Sequence, residues 1–421
     1  MTRTLDLDRR IAQCAEWATE AILTFSDGHR VWDEVASEAV QPFDKMIIES
    51  ALMALIAERA IPGHSAVRRL LDAIEACTVT LDRLYLLIRQ RPFLWSSIGS
   101  VWLILDKFDR GDPDKRTRLR SLWADAPTAH PCERVPYRLL DQAWTRSLVN
   151  GSDPQLASEG LRAATSFENL DGALLMETRD LYAVTHTVMY LSDFGRVALR
   201  DNEAGNAAAW IDSLAASRLL MNDLDLAGEL AMSSLMLGSD FGTGSLVTMA
   251  TLSAIFDSLG FVPSPTFRAD DYEASSDPQS YLYFHSYHTT LVYGLLCAAL
   301  VARSRAAGPA TQAISGAAST TVPSEWCGRR AGVPGLSHQV AHTISTWSAI
   351  CDERGVDICE ADLLRTALNA YLIRGANECR ADDIVALLGM TSLVTPNGTD
   401  EAAQQLLTHW RALSTDVVTP C

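Results

Sequence analysis

Residues 93–105 read FLWSSIGSVWLIL and residues 289–302 read TTLVYGLLCAALVA, and neither run alternates between apolar and polar. Drawn as helices, Phe93-Leu94-Trp95 through Val101-Trp102-Leu103-Ile104-Leu105, and likewise Leu291 to Val301, are apolar on nearly every side. A helix of that kind is enclosed by protein or by lipid. Both runs fall short of the ~20 residues that span a bilayer, so protein must enclose them. Elsewhere apolar residues recur at three-and-four spacing, while period-two alternation between turn residues is nearly absent. The reading is all-α, with helices over 8–25, 43–59, 65–76, 79–90, 94–107, 113–123, 135–149, 175–193, 205–220, 223–237, 244–259, 279–303, 336–353, 359–374, 380–390 and 398–413. Enclosed helices wrapped by half-exposed ones suit two layers around a central cavity, an (α/α) toroid or barrel. No fixed-period repeat supports a stacked solenoid.

The 421 residues are 48% hydrophobic and 21% charged, the balance of a globular chain with a large core. The net charge of −17 comes from 52 acidic against 35 basic residues, with no run of five Lys/Arg. Nucleic acid and anionic membranes are excluded as partners, since each demands a concentrated positive field. The opening MTRTLDLDRR carries charges where a secretion signal has an apolar run, so a cytoplasmic location is expected. The nine cysteines are odd in number and widely spaced, with no CxxC pair; they read as reduced core thiols. A main helical body is expected over 1–302. A linker rich in Ala, Ser, Thr and Gly follows over 303–324, then C-terminal helices over 325–421 that pack on or complete the toroid. Gly260 to Gln279, GFVPSPTFRADDYEASSDPQ, is long for a connection inside a helical domain and is a lid candidate.

Chemistry concentrates in residues 177–195, ETRDLYAVTHTVMYLSDFG. At 100° per residue Arg179, Tyr182, His186, Tyr190 and Asp193 fall on one stripe between apolar neighbours, where a solvated helix would not put them. His186 suits general acid or base work, with Tyr190 in support and Asp193 fixing the ring's tautomer; the bland alternative is a buried polar ladder. In residues 281–294, YLYFHSYHTTLVYG, His288 has Tyr281, Phe284 and His285 near its own face. Both segments run aromatic, His, Thr and then apolar. The central expectation is therefore that His186 and His288 serve one bound substrate from opposite sides of a cavity, with Tyr182, Arg179, Tyr293 and His285 binding it.

Asn222, Asp225 and Glu229 share a helix face, with Ser233 a turn further on. Acids in a first turn complement the helix dipole. The functional alternative is that Asp225 or Glu229 orients a histidine or binds a cationic group of the substrate. Cys327, His338 and His342 are the weak metal candidates, because histidines at i and i+4 can grip one zinc ion, but HExxH is absent. No cofactor is expected; zinc or magnesium are the ions these spacings would admit. Residues 240–245, DFGTGS, are glycine-rich but lack the Lys of a phosphate loop and follow no strand, so they read as a helix connection. His29, His64, His130 and His409 read as surface residues.

Three stretches, RPFLWSSIGSVWLILDKFDRGDP (91–113), LYAVTHTVMYLSDFG (181–195) and SYHTTLVYGLLCA (286–298), resemble an uncharacterised actinobacterial family of helical proteins carried in natural-product gene clusters. The resemblance covers roughly the first 300 residues and implies specialised metabolism without implying a reaction. More loosely, an (α/α) toroid in such a cluster is similar to the cyclases that close thioether rings in ribosomal peptides. Trp326-Cys327-Gly328 resembles their Trp-Cys zinc motif, although the companion Cys-His-Gly and Gly-x-x-His-Gly are missing. The expectation is thus an enzyme performing acid/base chemistry, with thioether or Michael-type ring closure on a peptide as its reaction. Its partners would be a peptide or small-molecule substrate and other pathway enzymes. The alternatives are a terpene-type cyclase with a divalent metal, whose four-residue Asn/Ser/Glu triad fails at Leu226 and Leu230, and a non-catalytic escort protein.

Overall fold

In a computed structural model of the chain, the structure describes residues 6–26, 41–125, 134–151, 159–199, 204–238, 241–307, 335–391, 394 and 397–416. Among these there are helices and no strands. The helices are α1 (Leu7–Ser26), α2 (Pro42–Ala60), α3 (Ser65–Ala76), α4 (Thr78–Gln90), α5 (Trp95–Ile98), α6 (Ser100–Lys107) and α7 (Pro113–Asp125). They continue with α8 (Pro136–Asn150), α9 (Glu159–Arg162), α10 (Thr178–Leu191), α11 (Ala204–Leu220), α12 (Leu224–Met236), α13 (Thr243–Leu259), α14 (Ala269–Ala274) and α15 (Pro278–Phe284). The last five are α16 (Tyr287–Ala307), α17 (Leu336–Arg354), α18 (Glu360–Asn377), α19 (Ala381–Thr391) and α20 (Gly398–Asp416). No helix among the described residues is long and apolar enough to cross a membrane.

At the centre lies α12, LDLAGELAMSSLM, every residue of which is buried. It packs against α11, α16, α13 and α10. Asp223 starts it by accepting a hydrogen bond from the Leu226 amide at 3.2 Å, and Asn222 makes the tight entry turn at φ +60°, a conformation Asn tolerates better than most residues. Close contact is built into the sequence at Gly228, where a Cβ would stand 2.9 Å from Val292 Cγ1 of α16. On the opposite side of α16, Gly294 lets Met53 of α2 and Cys14 of α1 approach.

Two expected helices are each broken in two. The segment 94–107 divides into α5 and α6 at Gly99, whose missing Cβ leaves room for the Trp95 carbonyl 2.3 Å from where it would stand. The segment 279–303 divides into α15 and α16 because the His285 carbonyl turns aside to accept from the Ser264 amide at 2.9 Å. The stretch Gly260 to Gln279 is less irregular than its composition suggests: it contains α14, and Phe267 packs among Phe261, Tyr272 and Tyr281.

Of the connection at 240–245, Asp240 lies outside the described residues. The rest opens α13, whose first amides are capped by Asp212 of α11: its carboxylate accepts from Gly244 at 2.9 Å and Ser245 at 2.7 Å. A carboxylate on a helix N-terminus is favourable for both hydrogen bonding and dipole. The C-terminal helices return onto the body, α17 against α13 and α18 against α11, with Asn369 donating to Ser213 at 3.0 Å. Most of the expected linker, 308–334, lies outside the described residues.

Candidate functional site

Four helices, α2, α10, α12 and α16, turn polar groups toward one another in an otherwise apolar interior. Asp225 and Glu229 stand one turn apart on α12, with side chains 5% and 3% exposed. His288 comes from the first turn of α16 and Glu49 from α2, their side chains 29% and 21% exposed. His186 on α10 is 28% exposed. Buried carboxylates therefore form the floor of a recess, and the two histidines and Glu49 line its open side.

Each floor acid is fixed by a donor from α10. The Tyr182 hydroxyl donates to Asp225 Oδ2 at 2.6 Å, and the Thr185 hydroxyl donates to Glu229 Oε2 at 2.6 Å. Glu49 accepts from His288 Nδ1 at 2.8 Å and lies 3.5 Å from Lys45 Nζ. The other nitrogen, His288 Nε2, faces Asp225 Oδ1 at 3.4 Å and Glu229 Oε1 at 3.7 Å. Asp225 Oδ1 is buried and accepts no hydrogen bond. His186 Nδ1 sits 2.7 Å from the Tyr182 carbonyl and 3.9 Å from Glu229 Oε2. A carbonyl only accepts, so the proton of neutral His186 is on Nδ1 and the lone pair on Nε2.

These neighbours set the charges. Burial alone would discharge His288, but Asp225, Glu49 and Glu229 outweigh it and hold the imidazole well above its ordinary pKa. Burial pushes Asp225 up against the attraction of His288, with the nearby Glu229 charge adding to the rise. Burial also acts on Glu229 and Glu49, yet the flanking histidines keep Glu229 below the usual carboxylate range, and His288 and Lys45 do the same for Glu49. Burial and the Asp225 charge raise the Tyr182 phenol, which stays a donor. Three acids thus face one imidazolium, an excess of negative charge in a place of low dielectric.

Of the sequence-derived residues, His186, His288, Tyr182, Asp225 and Glu229 meet in the recess, and Tyr190 packs on the His186 ring at 5.9 Å between centroids. Others go elsewhere. The stripe does not reach Asp193, because α10 ends at Leu191 and the chain turns left-handed at Asp193 (φ +47°) and Phe194 (φ +56°). Asp193 instead accepts from Trp144 Nε1 at 2.8 Å and pairs with Arg59 at 3.1 Å, so it does not orient His186. Tyr293 is five residues beyond His288, about 140° round the helix, and bonds Arg10 at 2.8 Å and Ser253 at 3.0 Å. His285 lies beyond the break and meets Thr266 at 2.9 Å and the Tyr281 ring. Arg179 is exposed beside Glu177.

His338 and His342 lie exposed on α17, and Cys327 is outside the described residues. His64 caps α3 by accepting from the Ala66 amide, and His409 is exposed; His29 and His130 are outside the described residues. Of the cysteines within them, Cys14, Cys77, Cys297 and Cys351 are buried and free.

Sequence reasoning missed Glu49 and Thr185. Glu49 had a signal: it is a lone acid in the run Met46-Ile47-Ile48-Glu49-Ser50-Ala51-Leu52, where a solvated face would carry more polar residues. Asp141 of α8 was also missed; burial pushes its carboxyl to about 7.

Residues 11–298, which include α2, α10, α12 and the first half of α16 with His288, match the family model of a domain of unknown function, DUF6895, and the chain belongs to that family. No curated protein and no solved structure matches the chain.

Proposed function

We propose that this DUF6895 protein is an enzyme that works by acid–base catalysis in the recess between α2, α10, α12 and α16, with His186 as proton acceptor and His288 as its cationic partner. The observation that carries the reading is that both imidazoles share one buried carboxylate: Glu229 is 3.9 Å from His186 Nδ1 through Oε2 and 3.7 Å from His288 Nε2 through Oε1. Two imidazoles joined through one carboxylate are what moving a proton off and onto one substrate requires. His186 offers the Nε2 lone pair, while His288 among three acids keeps its positive charge.

Ring closure on a peptide by thiol addition, in a cytoplasmic natural-product pathway, suits this pair. His186 takes the thiol proton, sulfur bonds the β-carbon of an unsaturated residue, and the enolate formed collects a proton from His288. The same reading takes the helices as two layers, with α10, α12 and α16 inside and α1, α8, α11 and α13 around them, in the manner of an (α/α) toroid.

The test compares source cells carrying the wild-type chain, His186→Gln or His288→Gln, with their peptides alkylated by iodoacetamide and weighed by mass spectrometry. Wild type should give a ring product that takes up no label, and each variant a linear product that does. Undiminished ring product from folded variants would refute catalysis and leave an escort role.

A further inference from the structure

The three atoms that converge in the recess are spaced for a cation. We infer that Asp225 Oδ1, Glu229 Oε1 and His288 Nε2 are the ligands of one divalent first-row transition ion of the manganese-to-zinc series. The proposal deepens the acid–base reading, since it names the cofactor of the same recess.

The three atoms lie within 4.8 Å of one another. The two separations from Nε2, 3.4 Å and 3.7 Å, are long for hydrogen bonds. They are close to the ~3.3 Å edge of a tetrahedron whose bonds are ~2.0–2.1 Å long. Every ligand is also held by its other polar atom. Tyr182 holds Asp225 Oδ2, Thr185 holds Glu229 Oε2, and Glu49 accepts from His288 Nδ1. The last is the carboxylate–histidine arrangement that fixes a ligating imidazole with its Nε2 lone pair outward.

Asp225 supplies an independent sign. Its side chain is 5% exposed, yet Oδ1, the atom turned toward the other two, accepts no hydrogen bond. Leaving a buried acceptor without a donor is costly, and an ion would offset that cost. One imidazole with two carboxylates is too soft a set for calcium or magnesium and too hard for copper(I). The ion takes the Nε2 lone pair, and the proton there leaves to solvent. The ion then supplies the positive charge that the imidazolium otherwise supplies, and His186, having taken the thiol proton, returns it to the enolate carbon in place of His288.

The test strips the full-length protein with EDTA and titrates it calorimetrically with Zn²⁺ and with Mn²⁺. Wild type should bind one ion per chain. Asp225→Asn and Glu229→Gln should each weaken binding at least tenfold, and Glu49→Gln, which touches no ion, about 10–100-fold. The double variant His338→Gln/His342→Gln, which alters the exposed pair on α17, should bind like wild type. Circular dichroism verifies that each variant is folded, and a thermal upshift of wild type with the ion gives a readout that needs no variant. Wild type binding no ion, or folded Asp225→Asn and Glu229→Gln binding it undiminished, overturns the proposal. If no ion binds while His186→Gln still abolishes ring product, the acid–base reading stands without it. If the ion binds while His186→Gln retains product, the site is a metal centre and the catalytic reading fails.

Discussion

The wiring of the recess can be tested at its shortest link between helices. In Tyr182→Phe the ring stays and the hydroxyl goes, so the buried Asp225 loses the donor that stood 2.6 Å from Oδ2. A hydrogen bond to a charged group contributes ~1.5–3 kcal/mol, and ~2 kcal/mol is expected here because the acceptor side chain is only 5% exposed. With an unfolding entropy of ~2.1 cal/mol/K per residue, a chain of this size moves its Tm by only ~2 °C for that loss. Urea denaturation is therefore the better assay; an m-value of ~3 kcal/mol/M turns the same loss into a midpoint shift of ~0.7 M. Asp225→Asn completes a double-mutant cycle. In its background Tyr182→Phe should cost under ~1 kcal/mol, since the acceptor is then neutral, which leaves a coupling of ~1–2 kcal/mol. Additivity within ~0.5 kcal/mol would mean that the hydroxyl does not hold the carboxylate, and the account of a floor fixed from α10 would fall.

Other outcomes follow from the packing and the charges. The native state binds the Asp141 proton more tightly than the unfolded chain, its carboxyl being raised from 3.8 to about 7. Its stabilising contribution is therefore complete below ~4 and lost as pH rises toward 7, up to ~4 kcal/mol at 1.36 kcal/mol per unit. Asp141→Asn should accordingly gain stability over wild type at pH 8 and match it near pH 4; denaturation midpoints at both pH values that differ from wild type equally would contradict this. Gly228→Ala sets a methyl 2.9 Å from Val292 Cγ1 and 3.4 Å from Leu252 Cδ1. Overpacking of ~1–3 kcal/mol should exceed the ~1 kcal/mol gained in helix propensity, and Val292→Ala in the same chain should restore part of the melting temperature. Burial raises the Cys14 thiol well above its ordinary value and Cys297 to about 12. Both should resist alkylation at pH 8 in the native protein while the exposed Cys379 reacts, as peptide mapping by mass spectrometry would report.

What could be read in advance divides along a physical line. Spacing within one helix is legible, so the sequence alone places Tyr182 with His186, and Asp225 with Glu229, on shared faces. Where a helix stops is less legible. Asp193 fits the stripe by angle, but α10 ends at Leu191 and the two residues at positive φ carry Asp193 to Arg59 and Trp144. Tyr293 shares a helix with His288 but not its face. Pairing between distant segments was legible only as a guess from matching motifs, and Glu49, which reaches His288 across 239 residues of sequence, carried no such motif.

The family boundary follows the same division. Glu49, Tyr182, Thr185, His186, Asp225, Glu229 and His288 all lie within the matched residues 11–298. Of the helices beyond that span, α17 docks on α13 and α18 on α11, two of the helices that enclose α12, and α12 carries the floor carboxylates. A buried helix is held in register by everything packed around it, since close-packed interiors transmit small displacements rather than absorb them. Through α17 and α18 the C-terminal segment therefore buttresses the outer side of the helices against which Asp225 and Glu229 are positioned.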